Sequence, residues 1–467
     1  MEVESNVSPA SSMALLDDDG RPKRTGTVWT ASAHIITAVI AVGVLSLPWA
    51  MAQLGWIFGI FSLLFFASVT LYTSNLLADC YRSPHPVTGK RNYTYMEAVK
   101  THLGGKMHVL CGLVQYFNLA GFVIGFTITT STSAVTILKK NCIQKNGIKA
   151  PCHFSNNPYM ISLGIVEIIF SQIPNFHKLS MLSIVAAIMS FGYAFIGIGL
   201  SLATVIKGNR KSTSFSGGMD HISGDKFWNM CVALGNIALA CAYGQIAIDI
   251  QDSLKSPPAE NKVMKKANRI GLFIMTTIFL LSSCSGYAAF GSDTPGNILT
   301  STGFQKPSWL VDLANIFIIV HLIGAYQVVI QPLYRIVEIL ARQRWPSSSF
   351  VTKERLVSIG KMKFSINFFR LVWRSMFVVL MTVLAMAMPF FNDIIALLGA
   401  IGFWPTVVYF PLEMFIVQQK IKKGSLRWFG LQMLSSVCFF VSLAAACGAI
   451  HGLGHALGRY KPFTYKE

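Results

Sequence analysis

Apolar runs of about twenty residues recur along the chain, separated by short polar and charged segments. A helix needs about 20 consecutive apolar residues to cross the hydrocarbon core of a bilayer. That length predicts spans near 33–52, 55–77, 109–138, 159–176, 179–206, 227–250, 270–290, 309–334, 371–389, 393–417 and 428–453, eleven in all. The first run, HIITAVIAVGVLSLPWAMAQLGW from His34 to Trp56, carries Gly43, Pro48, Gln53 and Gly55. In hydrocarbon a freed backbone group finds no water, so such breakers persist where loosened backbone lines a cavity. The pattern predicts a first helix that opens near Ala41, Val42, Gly43 and Val44 and offers backbone groups to a small solute. The sixth run, FWNMCVALGNIALACAYGQIAIDI, is interrupted in the same manner by Gly235, Asn236 and Gly244. Two interrupted spans five apart are what an inverted repeat places at a shared midplane site, although glycine in a membrane helix also serves as a packing notch.

Composition agrees with an all-α polytopic membrane protein: of 467 residues 53% are hydrophobic and 13% charged, too few charges to cover a soluble protein of this size. The net charge of +19 comes from 39 Lys and Arg gathered in the connecting segments. It reads as topology and attraction to anionic headgroups, with no nucleic acid as partner. With a cytoplasmic N-terminus, 27 of the 39 fall on the inside. The chain is therefore read as N-terminus cytoplasmic and C-terminus extracellular. Residues 1–27 are Ser-rich, then acidic at Asp17–Asp19, then basic at Arg21, Lys23 and Arg24, which predicts a disordered cytoplasmic tail ending in a basic anchor. No cleavable signal peptide precedes the first run. The transporter body is expected at 28–453, as a first repeat (28–206), a second repeat (227–417) and an eleventh helix (428–453), with residues 454–467 as an extracellular tail. Within the longest inside loop (335–374), RWPSSSFVTKERLVSIGKMK (344–363) reads as a surface excursion, and the sequons at Asn6 and Asn92 fall inside, where they stay unglycosylated.

Nine cysteines include no Cys-x-x-Cys, so no metal site is expected. Cys142 and Cys152 share one short loop placed outside; they are a disulfide pair or two loop thiols, and the oxidising side favours the disulfide. Ionisable residues at membrane depth are costly and point to function. His34, Asp249, Asp312 and Asp393 lie near span ends, where they also reach headgroups or cap helices. Glu167, His321 and Glu413 lie deeper. For these a hydrogen-bonded structural role competes with proton carriage, and histidine titrates near physiological pH. His34, His321, Asp249 and Glu167 are the proton-coupling candidates. Polar and small residues of the third span, among them Asn118 and Thr129, line a cavity or glue helices together. No phosphate-binding loop, HExxH, GxSxG or filter-like TVGYG occurs, so neither an enzyme nor an ATP-driven pump is indicated.

The run RTGTVWTASAHIITAVIAVGVLSLPWAMAQLGW resembles the opening of the plant amino acid permeases, within the amino acid/auxin permease family. Matching blocks follow: IQDSLKSPPAENKVMKKA, GYAAFGSDTPGNIL, HLIGAYQVVIQPLY, RLVWRS and PFFNDIIALLGAIGFWPTVVYFPLEM. The resemblance implies an eleven-helix, proton-coupled amino acid importer with the five-plus-five inverted-repeat fold of the LeuT-like superfamily, needing no cofactor beyond the proton gradient. It further implies that Ala41 to Val44 hold the substrate carboxylate, that Asn236, Ala240, Cys241 and Tyr243 face the amino group and side chain, and that Asn118 and Thr129 line the wall. His34 and His321 match family histidines associated with proton coupling. The chain departs from the family at Ala41, Val42 and Pro48, where Gly, Ser and Ala are usual, and at Asn236, Cys241 and Asp249, where Asp, an aromatic and Glu are usual. The expectation is a plasma-membrane symporter with an altered or weakened substrate site. Alternatives are a transport-deficient amino acid receptor and a symporter of another carboxylate such as an auxin-like acid.

Overall fold

The computed structural model describes residues 16–459 apart from 22, 148–150, 173–179, 209–210, 216–222, 302–303, 305–306, 360–361 and 389. The first two apolar runs form one helical stretch, α1 (Val28–Asp79), opened by a reciprocal cap between Thr27 and Thr30. Its 52 residues would reach about 78 Å at 1.5 Å per residue, far beyond the hydrocarbon thickness. The chain therefore turns, and it does so at Gly55, whose φ of 75° and ψ of −179° suit a residue without a Cβ.

The expected opening at 41–44 is not there. The backbone of Ala41, Val42, Gly43 and Val44 is helical; the side chains of Ala41 and Val42 lie outside the described residues. Gly43 is used for close approach instead: a Cβ on it would stand 2.6 Å from Phe279 Cζ and 2.9 Å from Ala240 Cβ. Pro48 likewise packs on Gly286 without ending the helix.

A two-residue pairing of β1 (Arg82–Ser83) with β2 (Lys90–Arg91) leads to a short amphipathic helix, α2 (Tyr95–Leu103). The long α3 (Gly105–Asn146) follows, then α4 (Asn157–Ser171) and α5 (Ser180–Ile206). Cys142 and Cys152 form the expected disulfide between the end of α3 and the approach to α4. The sixth run is interrupted into α6 (Gly224–Ala240) and α7 (Gly244–Asp252), but the break falls at Cys241–Tyr243, just before Gly244, whereas Gly235 and Asn236 lie inside α6. After α8 (Glu260–Phe290), α9 (Ser308–Arg344) runs well past the apolar stretch. The surface excursion is more regular than expected, with a single turn α10 (Ser349–Thr352) and a hairpin of β3 (Glu354–Ile359) and β4 (Met362–Asn367). Next come α11 (Phe368–Ala387) and a tenth run built from α12 (Phe391–Gly402), a π-helical segment (Phe403–Tyr409) and α13 (Phe410–Gln418). The chain closes with α14 (Leu426–Arg459).

Among the described residues nine helical stretches are long and apolar enough to cross a membrane, with shorter apolar helices at Val28–Ile40 and Asn157–Ser171. Small residues set the packing. α1 lies along α8, where Ser32 Oγ donates to the Ala267 carbonyl at 3.3 Å and Ser282 Oγ to the Val44 carbonyl at 3.0 Å. α6 presses on α12, the Gly235 backbone meeting Ala396 and Gly399. On the other side α9 packs on α3 and α5.

Residues 16–21 and 23–27, expected as the end of a disordered tail, are held against the body instead. Arg24 pairs with Asp17 at 2.9 Å, Asp19 at 2.8 Å and Asp252 at 2.8 Å. Asp18 meets Arg82 at 3.2 Å and also Arg91, while Glu260 Oε1 accepts from Arg82 at 2.7 Å and from Arg91 at 2.8 Å. The acidic run is thus used up by arginines folded onto it, and Arg24 does not reach out as a headgroup anchor. The Arg24 guanidinium beside Asp19 holds its carboxyl well below the usual carboxylate range.

Candidate functional site

Two half-helices face α1 at the centre of the bundle. α6 ends at Ala240, the Cys241 and Ala242 amides turn back to the Ile237 and Leu239 carbonyls, and α7 starts at Gly244. The break therefore presents a helix C-terminus, with its excess of carbonyls, beside a helix N-terminus, with its excess of N–H groups. Ala240 touches Gly43 of α1, and Asn236, one helical turn earlier, lies on the same face of α6. Asn236 is wholly buried, and neither its Oδ1 nor its Nδ2 has a hydrogen-bond partner among the described residues. Leaving an amide so costs about 1–3 kcal/mol, which a polar partner in the site would recover.

The tenth run closes the far side. Thr406, in the π-helical segment, accepts at its carbonyl from Tyr95 Oη at 2.6 Å, and the same carbonyl would lie 2.8 Å from a Cβ on Gly244. A π-helical segment inside a helix shifts its hydrogen-bond ladder and is frequent at functional sites. From α3, the Asn118 amide donates to the Val114 carbonyl at 3.1 Å and sits over Gly402, with its Oδ1 unpartnered among the described residues. Thr129 donates to the Gly125 carbonyl at 2.7 Å and borders a cavity of about 10 Å³ with Phe126, Leu239, Ile395 and Leu398. That is room for one water and far too little for an amino acid. The structure thus brings Gly43, Val44, Ala240, Cys241 and Tyr243 together as buried residues in a closed arrangement, while Thr129 of α3 borders Leu239 of α6 and Asn118 of α3 lies against Gly402 of α12.

The ionisable candidates separate. His34 and Asp249 are exposed on their helices, and Asp312 pairs with Lys140 at 3.4 Å. Glu413 accepts from Gln432 at 2.6 Å, and Asp393 faces Gly452 of α14. His321 is buried edge-on to Tyr193 with ring centroids 6.0 Å apart, and its Nδ1 has no partner among the described residues. Glu167 is wholly buried; Oε2 accepts from Gln327 Nε2 at 2.6 Å, and Oε1 has no partner among the described residues. One turn further along α4, the Ser171 carbonyl accepts from Arg374 at 2.6 Å, and Arg374 also pairs with Glu338 at 2.8 Å and lies 5.0 Å over the Tyr334 ring.

Three residues enter here that the hydropathy pattern does not single out: Gln327, Thr406 and Tyr95. Gln327 is one of three amides, with Asn315 and Gln331, in the eighth apolar span, and nothing in the pattern sets it apart from them, whereas Thr406 owes its position to a backbone irregularity that no residue type announces. α2 does leave a signature: Thr94-Tyr-Met-Glu97 is a capping pattern, with the Glu97 amide donating to Thr94 Oγ1 at 3.1 Å and the Tyr93 amide to Glu97 Oε2 at 2.8 Å. Asn92 of the second sequon is buried, its amide donating to the Cys80 and Tyr81 carbonyls.

Comparison with known proteins bears on what such a site does. The sequence profile described as "Transmembrane amino acid transporter protein" matches residues 24–453. The chain is 54% identical to Amino acid permease 8 of Arabidopsis thaliana, over 99% of each chain. It is 54% identical to Amino acid permease 1 of the same plant, over 96% of this chain and 93% of the other. At greater distance it is 28% identical to Lysine histidine transporter-like 6, also from Arabidopsis thaliana, over 92% of each.

Proposed function

Since the chain belongs to the transmembrane amino acid transporter family, alongside the plant amino acid permeases, we propose that it is a proton-coupled amino acid symporter working by alternating access at the plasma membrane. The observation that carries this reading is the break at Cys241–Tyr243 set against Gly43 and Val44, with Asn236 buried and unpaired beside it. A zwitterionic amino acid needs acceptors for its ammonium and donors for its carboxylate. The C-terminal carbonyls of α6 and Asn236 Oδ1 supply the first, and the N-terminal amides of α7 the second. The side chain lies toward Asn118 and Thr129.

In the closed arrangement the amides of α1 at 41–44 are spent within the helix, so admission of substrate requires α1 and the α6–α7 pair to move apart. Ala41 and Val42, in place of smaller family residues, resist that local opening, because a helix without glycine at those positions is harder to unwind. This supports a narrowed or weakened substrate site.

Glu167 is the proton carrier in this reading. An ionised carboxylate wholly buried in the membrane, with no cation within ion-pair distance among the described residues, costs several kcal/mol, whereas the protonated acid is neutral and turns Oε1 into a donor. Uptake of labelled amino acids by cells lacking their own permeases, at two external pH values, tests the whole proposal. Accumulation that rises with external acidity, and further in Ala41→Gly with Val42→Ser, is the expected result. Uptake indifferent to pH, or a vigorous wild type unaffected by the double change, overturns it.

A further inference from the structure

A groove of about 240 Å³ lies between the start of α1 and the start of α8, bordered by residues 26–29, Lys255, Pro258, Lys266 and Ile270. From its position and charge, we infer that this groove binds the phosphate headgroup of an anionic phospholipid. The inference rests on the membrane reading above but not on the substrate or the proton.

The two cations are free to serve. Lys255 and Lys266 are exposed, and among the described residues neither meets a carboxylate within ion-pair distance. The acids nearby are already taken: Asp252 by Arg24, Glu260 by Arg82 and Arg91, and Asp79 by Lys265. A phosphate in the groove therefore meets two uncompensated ammonium groups, and no carboxylate is among the residues that border it. Lys255 is held in place by its own backbone, whose amide donates to the Gly26 carbonyl at 3.0 Å beside the Gly26 to Ser253 bond.

The apolar half of the ligand is matched as well. Lys262, Lys266 and Arg269 recur at helical spacing on the exposed side of α8, and the stripe continues into Phe273, which is 75% exposed, and then Leu281. A basic end running into an apolar stripe is the profile of a helix that meets headgroups first and acyl chains next. Across the groove Trp29, 72% exposed, stands where amphipathic rings favour the interface. In the proposed orientation this is the cytoplasmic leaflet, the one that carries anionic lipid.

The test uses the purified full chain carried from mixed vesicles of phosphatidylcholine and phosphatidylinositol phosphate into gentle detergent, with retained lipid counted by native mass spectrometry. The wild type should keep one anionic lipid. Lys255→Ala with Lys266→Ala should weaken retention roughly 30-fold, two charges near the surface being removed. Lys106→Ala with Lys422→Ala should leave it unchanged. Equal retention by the groove variant, equal loss in the control pair, displacement by inorganic phosphate, or retention that appears only when residues 1–15 are deleted would each overturn the assignment. The last result would give the groove to the chain's own tail.

Discussion

Gln327 donates its amide hydrogen to Glu167 at 2.6 Å, linking α9 to α4 in a part of the bundle that water does not reach. The same amide also reaches the Glu167 backbone carbonyl at 3.1 Å, so one Gln327 side chain ties both Oε2 and the main chain of Glu167, while Oε1 has no partner among the described residues. Glu167→Gln keeps the shape and mimics the protonated acid. It should fold and bind amino acid as the wild type does, while losing the stimulation of uptake by external acid. Glu167→Ala leaves the Gln327 amide with only the backbone carbonyl and should cost about 1–3 kcal/mol of stability. Thermal unfolding alongside pH-dependent uptake separates the two effects. Acid stimulation that survives in Glu167→Gln removes Glu167 from the proton path.

Gly244 begins α7 in contact with the Thr406 carbonyl, and a Cβ there would come within 2.8 Å of that backbone oxygen. Because the neighbour is main chain in a π-helical segment also tied to Tyr95, it cannot swing aside. Gly244→Ala should destabilise the closed arrangement by about 1–3 kcal/mol and lower uptake. Tyr95→Phe, which removes only the 2.6 Å hydrogen bond, should have a smaller effect in the same direction. A Gly244→Ala protein with wild-type melting and uptake would show that the two half-helices do not depend on this contact.

The apolar pattern anticipated most of the long helices and the interruption of the sixth run, because burial in lipid constrains composition over twenty residues at a time. It misplaced the break in the first run. Gly43 and Gly55 carry the same signal in sequence, yet one is a close-packing notch against Phe279 and Ala240 and the other a turn with positive φ. Only the partner helices distinguish them. The acidic run at 17–19 looks like free tail in sequence because what anchors it to the body, Arg82 and Arg91 on Asp18 and Asp252 shared through Arg24, is distant in sequence. For the site, Asn236 and Glu167 stand out as polar residues in apolar spans, whereas the Thr406 contact arises from backbone geometry and leaves no compositional trace.

The Cys142–Cys152 bridge closes a short loop between α3 and α4, with a sequence separation of 10. Constraining a loop of that size stabilises the folded chain by about 3 kcal/mol in the chain-entropy account. Cys142→Ser with Cys152→Ser should therefore lower the melting temperature while leaving the central site intact, so uptake per folded molecule should be preserved. Thiol labelling of the unfolded wild type should add two maleimides only after reduction. Labelling that is the same before and after reduction would mean that the bridge does not form in the cell.

Arg24 draws Asp17, Asp19 and Asp252 onto one guanidinium, which ties the segment before α1 to the end of α7. Gly26 adds backbone bonds to Ser253 and Lys255, so the segment is held by charge and by main chain together. The pH dependence follows from the sign of the Asp19 shift. Its folded pKa lies below the ordinary aspartate value of 3.8, so its contribution is fully present above that value. It is lost as pH falls through the lower folded value, and between pH 5 and pH 8 it should be flat. Proteolysis near Arg21 and Lys23 should accordingly be slow and constant across neutral pH and accelerate only in strong acid. Arg24→Ala leaves three carboxylates without their shared cation and should expose the segment at every pH, with cleavage there outrunning any cut in the helices. Because α7 continues directly from the break at Cys241–Tyr243, the same variant should also loosen the substrate site and raise the apparent KM. Arg24→Ala with unchanged cleavage and unchanged KM would mean that the backbone bonds of Gly26 hold the segment unaided.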